Sequence, residues 1–301
     1  MWHFRERGAI ELPCLAGYNP AMRIAKLTID KVAKIGVIGS ETITPVSDDV
    51  TLFSVLEQQN PAEYVRSLST MDPLPLADAK LLPPIDNQEV WAAGVTYKRS
   101  KTARMEESET AASCYDRVYQ SPRPEIFFKG TPHRVRGTGA QLRIRGDSEW
   151  NVPEPEVTLV ITSDGRIVGY TVGNDMSSRD IEGDNPLYLP QAKCYAASCG
   201  LGPWITLADA MPPREDIGIQ MSIRRGDAEV FSGDTSVSQM ARGFEELVEW
   251  LMRDNAFPNG VFLLTGTGIV PDSDFTLQPE DLVSISIDGI GCLENSIVRG
   301  N

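Results

Sequence analysis

Residues 151–193, NVPEPEVTLVITSDGRIVGYTVGNDMSSRDIEGDNPLYLPQAK, decide the fold. Two runs rich in β-branched and aromatic residues flank Ser163-Asp164-Gly165-Arg166, and an Asp-Gly pair between alternating hydrophobics predicts a β-hairpin. With Asp164-Gly165 at the tip, Ser163 faces Arg166, Glu156 faces Gly173 and Glu154 faces Asp175. Side chains alternate between the faces of a strand. One face then carries Val157, Leu159, Ile161, Val168, Tyr170 and Val172, an apolar set expected to meet the core. The other carries Glu154, Glu156, Thr158, Thr171, Gly173 and Asp175, so that three carboxylates converge at the open end beside a glycine that leaves room. A β-bulge would move this register by one residue. Opposed carboxylates destabilise a ladder unless positive charge sits between them. A divalent cation supplies that charge, and an oxygen-only donor set suits Mg2+, Mn2+ or Ca2+ better than zinc. The bland alternative is an acidic hairpin end in solvent. Pro153 and Pro155 weigh against it, because they fix φ and remove backbone donors, as in a stiffened edge that holds Glu154 and Glu156 in place.

Composition narrows the class. The 301 residues suffice for one large domain or two smaller ones, and 41% hydrophobic residues is ordinary for a soluble globular chain. No apolar run approaches the ~18–20 residues needed to span a membrane, and residues 1–22 lack the apolar stretch of a signal peptide. A cytoplasmic location is expected. The five cysteines, Cys14, Cys114, Cys194, Cys199 and Cys292, are odd in number and show no CxxC spacing, which reads as free thiols in a reducing compartment. A net charge of −14 argues against a nucleic-acid partner and requires local cations wherever an anionic substrate binds. The two histidines, His3 and His133, exclude a multi-histidine metal site and leave at most one credible candidate for acid–base work.

Outward from the hairpin, the chain divides into a small N-terminal α/β domain over residues 1–85 and a second domain over 86–301. Residues 1–21 read as an extension, with Met22 as a candidate start; RIAKLTID, KIGVIG and ETITPV read as strands, and 49–70 as helix interrupted by Pro61. The proline-rich stretch 73–85 reads as a linker. In the second domain, Trp91 to Val95 suits a buried strand, Thr96-Tyr97-Lys98 a turn, and 99–119 a charged helix. Residues 125–130 form a strand ending at Lys129-Gly130, His133 lies in a loop, and MSSRDIE turns into a short helix before a loop around Lys193. Phe244, Leu247, Val248, Leu251 and Met252 recur at helical spacing and read as core packing. Residues 261–265 form a strand running into Gly266-Thr267-Gly268, and two more strands flank Asp288-Gly289.

The chemically suggestive groups are the acids Glu154, Glu156 and Asp175, the cations Lys129, Arg179 and Lys193, and Thr267 in its glycine-rich turn. Each cation alone reads as a solvated surface charge. Together with the hairpin they point to a metal and a small carboxylate, because a cation chelated by a 2-keto acid polarises the carbonyl.

The E-x-E pair Glu154 and Glu156, the run GYTVGNDMSSRD and a lysine ahead of a GPW segment resemble the fumarylacetoacetate hydrolase superfamily, over roughly residues 88–300. The resemblance implies an α+β, mostly β fold with a mixed β-roll catalytic domain, a homodimer or homotetramer, and Mg2+, Mn2+ or Ca2+ as cofactor. It implies Glu154, Glu156 and Asp175 as metal ligands, Arg179 and Lys193 as substrate-contacting cations, and Thr267 as the holder of a keto-acid carboxylate. Hydrolases of this superfamily carry a catalytic histidine in the segment that here reads Gly94-Val95-Thr96-Tyr97-Lys98-Arg99-Ser100-Lys101, where Ser100 stands near its place. The pattern GVTYxxS…ARMEES resembles instead the 2-keto-3-deoxy-pentonate dehydratase branch, which forms 2,5-dioxopentanoate. Elimination needs no histidine: Glu106, Glu107 and Lys193 are candidates for proton transfer, while Ser100, Lys129, Arg179 and Thr267 are candidates for binding a small anionic sugar acid. Three alternatives stay open: a hydrolase cleaving a C–C bond of a diketo acid with Glu107, a decarboxylase or isomerase of oxaloacetate-like acids, and a non-catalytic scaffold stabilised by metal.

Overall fold

In the computed structural model, residues 22–97 and 117–300 are described; the predicted extension, most of the predicted helix over 99–119, and Ser100, Glu106 and Glu107 lie outside them. The hairpin forms from Pro155–Ile161 and Ile167–Asp175. Its register at the site end is the expected one, with Glu156 opposite Gly173, Pro155 opposite Asn174, and the Asp175 N–H donating to the Glu154 carbonyl at 2.9 Å. The tip differs. Ile161 pairs with Ile167, and the loop closes through Thr162, whose N–H donates to the Arg166 carbonyl at 3.0 Å and whose carbonyl accepts from the Gly165 N–H at 3.0 Å. Val160 pairs with Gly169, so Val168 is an extra residue, a bulge that cancels the one-residue shift made by the loop. The bulge turns Val168 away from the expected face. It packs with Val160 and Leu264, while Ile167 packs against the cluster holding Val157, Leu159, Ile161 and Val172.

The hairpin is central, not a stiffened edge. Among the described residues its strands sit in the middle of a twelve-stranded sheet. Ile167–Asp175 pairs antiparallel with Cys199–Leu207, and Pro155–Ile161 pairs antiparallel with Val261–Leu264, which runs parallel to Glu89–Gly94. Pro155 is tolerated because it opens its strand, where a missing donor costs no ladder bond. Both faces are covered. On one, a five-stranded sheet supplies Ile219, Met221, Ile223, Val283 and Ile285, and the amphipathic helix Phe244–Met252 supplies Phe244, Leu247 and Leu251. On the other, the short helices Leu52–Leu56 and Pro61–Ser67 contribute Val55, Leu56 and Val65. The face expected to be polar is therefore a second interior.

The N-terminal strands continue the same sheet: Arg23–Ile29 pairs with Cys199–Leu207 through Arg23 opposite Thr206. The stretch read as a linker adds two short strands, Leu74–Pro75 on Thr42–Pro45 and Leu81–Leu82 on Arg23–Ile29. Glu57 reaches the hairpin tip, accepting from the Ser163 N–H at 2.8 Å and the Ser163 hydroxyl at 2.6 Å. The strands Leu282–Ile287 and Gly291–Arg299 follow the sequence expectation, and the α+β, mostly β class holds.

Gly173 is needed for a reason other than room for an ion. A Cβ there would collide with the Thr158 hydroxyl and a Leu264 methyl, both packed across the sheet face. Gly173→Ala should therefore destabilise the protein by about 1–3 kcal/mol through overpacking. A urea-unfolding midpoint equal to that of the parent would contradict this packing.

Candidate active site

At the open end of the hairpin a small cleft is lined by Glu154, Glu156, Asp175, Arg179, Lys193 and Thr267, together with the backbone around Gly94 and Gly266. Each group arrives by a short route. Glu154 and Glu156 straddle the start of one hairpin strand, and Asp175 ends the other. Arg179 opens the short helix Arg179–Asp184, and Lys193 closes the helix Leu189–Lys193 rather than lying in a loop. Gly266 and Thr267 follow the strand Val261–Leu264. Val95, which follows Glu89–Gly94, holds φ at +54°, a strained value for a β-branched residue, and its neighbour Thr96 donates to the Thr265 carbonyl at 2.6 Å.

The three acids are out of water. Glu154 is 3%, Glu156 1% and Asp175 1% exposed, which excludes the solvated hairpin end. One oxygen from each lies within 4.8 Å of the others. Burial of like charges at that spacing demands cations. Arg179 donates to Glu154 Oε1 at 2.6 Å. Lys193 Nζ spans Glu154 Oε2 at 2.8 Å and Asp175 Oδ2 at 3.1 Å, and also meets Ser177 Oγ at 2.6 Å. Lys129 Nζ pairs with Asp175 Oδ1. These bases are directed at Glu154 and Asp175, whereas Glu156 Oε2 accepts the backbone N–H of Gly266 at 2.6 Å. Burial pushes the Glu156 carboxyl well above the usual carboxylate range; the charges of Asp175 and Glu154 add to the rise, and Lys193 and the Gly266 N–H oppose it. A hard divalent ion fits this donor set. It would take an oxygen from each acid and would supply the positive charge that Glu156 lacks.

The other expected residues distribute unevenly. Thr267 lines the cleft, with its hydroxyl tied to the Ile269 carbonyl at 3.2 Å. Lys129 is fully buried and does not line the cleft. His133 is exposed on the short 3-10 turn Pro132–Arg134, with Nδ1 2.8 Å from the Thr131 hydroxyl. Ser100, Glu106 and Glu107 are outside the described residues. Sequence reasoning passed over Ser177, the Gly266 N–H and Phe127; only Ser177, inside the MSSRD run, carried a usable signal.

Three comparisons place this geometry among known proteins. The fumarylacetoacetate (FAA) hydrolase C-terminal family matches residues 89–298. A probable 2-keto-3-deoxyxylonate dehydratase of Haloferax volcanii is 48% identical over 214 residues, covering 71% of this chain and 73% of that protein. A 2-dehydro-3-deoxy-D-arabinonate dehydratase of Saccharolobus solfataricus is 43% identical over 219 residues, 72% of this chain and 74% of that one. The solved structure of 2-keto-3-deoxy-D-arabinonate dehydratase complexed with magnesium and 2,5-dioxopentanoate superposes with a TM-score of 0.80 at 34% identity, covering 93% of this chain and 100% of the other.

The raised Glu156 carboxyl has a measurable sign. A carboxyl whose folded pKa exceeds its unfolded one stabilises the fold at low pH, and that contribution is lost as pH rises through the folded value. With metal chelated away, the melting temperature should fall as pH climbs out of the ordinary carboxylate range. Glu156→Gln should flatten that slope, and Mg2+ should restore more stability to the parent at higher pH. Equal slopes for parent and variant in EDTA would refute the assignment.

Proposed function

The chain belongs to the fumarylacetoacetate hydrolase family, and we propose that it is a divalent-metal-dependent hydro-lyase that converts a 2-keto-3-deoxy-pentonate into 2,5-dioxopentanoate. The observation that carries the reading is the cleft in which three buried carboxylates share their surroundings with Arg179 and Lys193. Magnesium is the proposed cofactor, in line with the magnesium named for the solved dehydratase, with Glu154, Glu156 and Asp175 as its ligands. When bound, the ion draws electron density from the 2-keto group and acidifies the C3 hydrogens.

The chain's own groups divide the remaining work. The substrate loses a proton from C3 and the hydroxyl from C4, which gives a C3–C4 double bond and water. Moving a proton from C5 to C3 then transposes the double bond to an enol at C4–C5, and this becomes the aldehyde. Lys193, with Nζ between Glu154, Asp175 and Ser177, is the proposed proton carrier at C3 or at the departing hydroxyl. Arg179 and Thr267, which line the cleft, are proposed to hold the substrate carboxylate. Glu106 and Glu107 remain proposed partners in proton transfer. His133, exposed and tied to Thr131, is assigned no part. Assembly as a homodimer or homotetramer and a cytoplasmic location belong to the same reading. Among the described residues no helix is long and apolar enough to cross a membrane.

The names of the two relatives converge chemically. Arabinonate and xylonate of one series differ only at C2 and C3, and a 2-keto-3-deoxy acid retains neither centre. The discriminating choice is therefore the configuration at C4, and both C4 epimers should be offered. Aldehyde formation coupled to an aldehyde dehydrogenase should be followed with Mg2+ or Mn2+ and should stop on chelation. Elimination that persists without metal, or cleavage of a diketo acid in its place, would overturn the proposal.

Two substitutions separate the roles. Lys193→Met should lower kcat by about 100-fold or more, in the range of a lost proton-transfer group. Arg179→Met should act mainly on KM. Parent-like kinetics in both variants would remove the two residues from the mechanism.

A further inference from the structure

Lys129 stands apart from the other cations. Lys129 Nζ donates hydrogen bonds to the Met176 carbonyl at 2.9 Å and the Lys193 carbonyl at 2.6 Å, and its charge pairs with Asp175 Oδ1. The side chain is 0% exposed, and the cleft is lined by Phe127 of the same strand but not by Lys129. A fully buried ammonium anchored in this way, outside the cleft, is not presented to an anionic substrate. Its acceptors belong instead to two elements that must meet: the end of the hairpin strand Ile167–Asp175 and the end of the helix Leu189–Lys193.

We propose that Lys129 is a positioning residue: it fixes the outer oxygen of Asp175 and the backbone of Lys193 to one point, so that Asp175 presents Oδ2, and Lys193 its Nζ, to the cleft. The 3.1 Å contact between those two atoms uses the Asp175 oxygen that Lys129 does not meet. An alkyl chain at position 129 would take a counter-ion from a buried carboxylate and leave two carbonyls without their donor, and the groups they orient would lose their common anchor. The inference rests on the reading of Asp175 as a ligand and Lys193 as the proton carrier, and it replaces the expectation that Lys129 binds substrate.

The test has a kinetic and a thermodynamic arm. Lys129→Met should lower kcat by about 10–100-fold, the range found when partners of metal ligands are removed, and KM for the keto acid should stay within about threefold. A tenfold or larger rise in KM with kcat retained would mean direct substrate contact and would overturn the proposal; unchanged kcat and KM would reduce Lys129 to packing and do the same. The second arm uses urea unfolding of the metal-free protein. Lys129→Met should lower the midpoint, and adding Asp175→Asn should raise it again, because the neutral amide no longer needs a buried counter-ion. A double variant no more stable than Lys129→Met alone would break the coupling. If Lys129→Met alone is insoluble, recovery of folded protein in the double variant reports the same coupling, and its absence refutes it. Failure of every sugar acid to react would sink the dehydratase reading, while the urea arm would still decide the pairing.

Discussion

Three carboxylates held out of water within 4.8 Å of one another are the constraint to which the surrounding structure answers. Their mutual repulsion in a low-dielectric interior is far larger than it would be at a surface. Arg179, Lys193 and Lys129 offset it at Glu154 and Asp175, and each is itself nearly or fully buried. A cation cluster of this kind costs desolvation free energy on its own account, so neither set is stable in the interior without the other. Glu156, met by the Gly266 N–H, is the point at which the balance is left short of positive charge.

The hairpin can carry this load because it is fixed at both ends and covered on both faces. Glu57 holds the tip through Ser163, and the Arg166 guanidinium donates to the Gln58 carbonyl at 3.1 Å. At the open end, Thr265 Oγ1 donates to the Val157 carbonyl at 2.8 Å, and this bond seats the glycine-rich turn beside Glu156. Apolar clusters lie on either side, with Leu159 in one and Val160 in the other. Side chains mounted on a sheet packed in this way have little freedom to drift, which is what a site working by position and electrostatics requires.

The cations divide by their surroundings. Arg179 and Lys193 line the cleft, each in contact with an acid that also lines it. Lys129 pairs with Asp175 without lining the cleft, and both of its hydrogen-bond acceptors are backbone carbonyls. Charge type alone would group the three together; access to the cleft separates them. His133, out in solvent, leaves proton movement in the described part of the site to carboxylates and lysine, which suits elimination from a keto acid better than attack by water on carbon.

What the amino-acid sequence determined by itself was local. Side-chain alternation put Glu154, Glu156 and Asp175 on one face, and the Asp164-Gly165 signal set their register, which holds at Glu156 opposite Gly173. Helical spacing marked Phe244–Met252, and the E-x-E and MSSRD runs carried the family. The tertiary structure decided whatever depended on distant partners. The register survived at the site only because the extra residue Val168 offset the pairing of Ile161 with Ile167, and the bulge sent Val168 to the opposite cluster. A strand's own alternation marks a polar face but does not reveal whether another layer will cover it, so Glu154 and Glu156 read as an edge although their strand lies mid-sheet. Lys129 shows the limit most sharply. Its carbonyl acceptors lie 47 and 64 positions along the chain, and a lysine's place in a site depends on what its ammonium meets in space, which only the assembled sheet and helix supply.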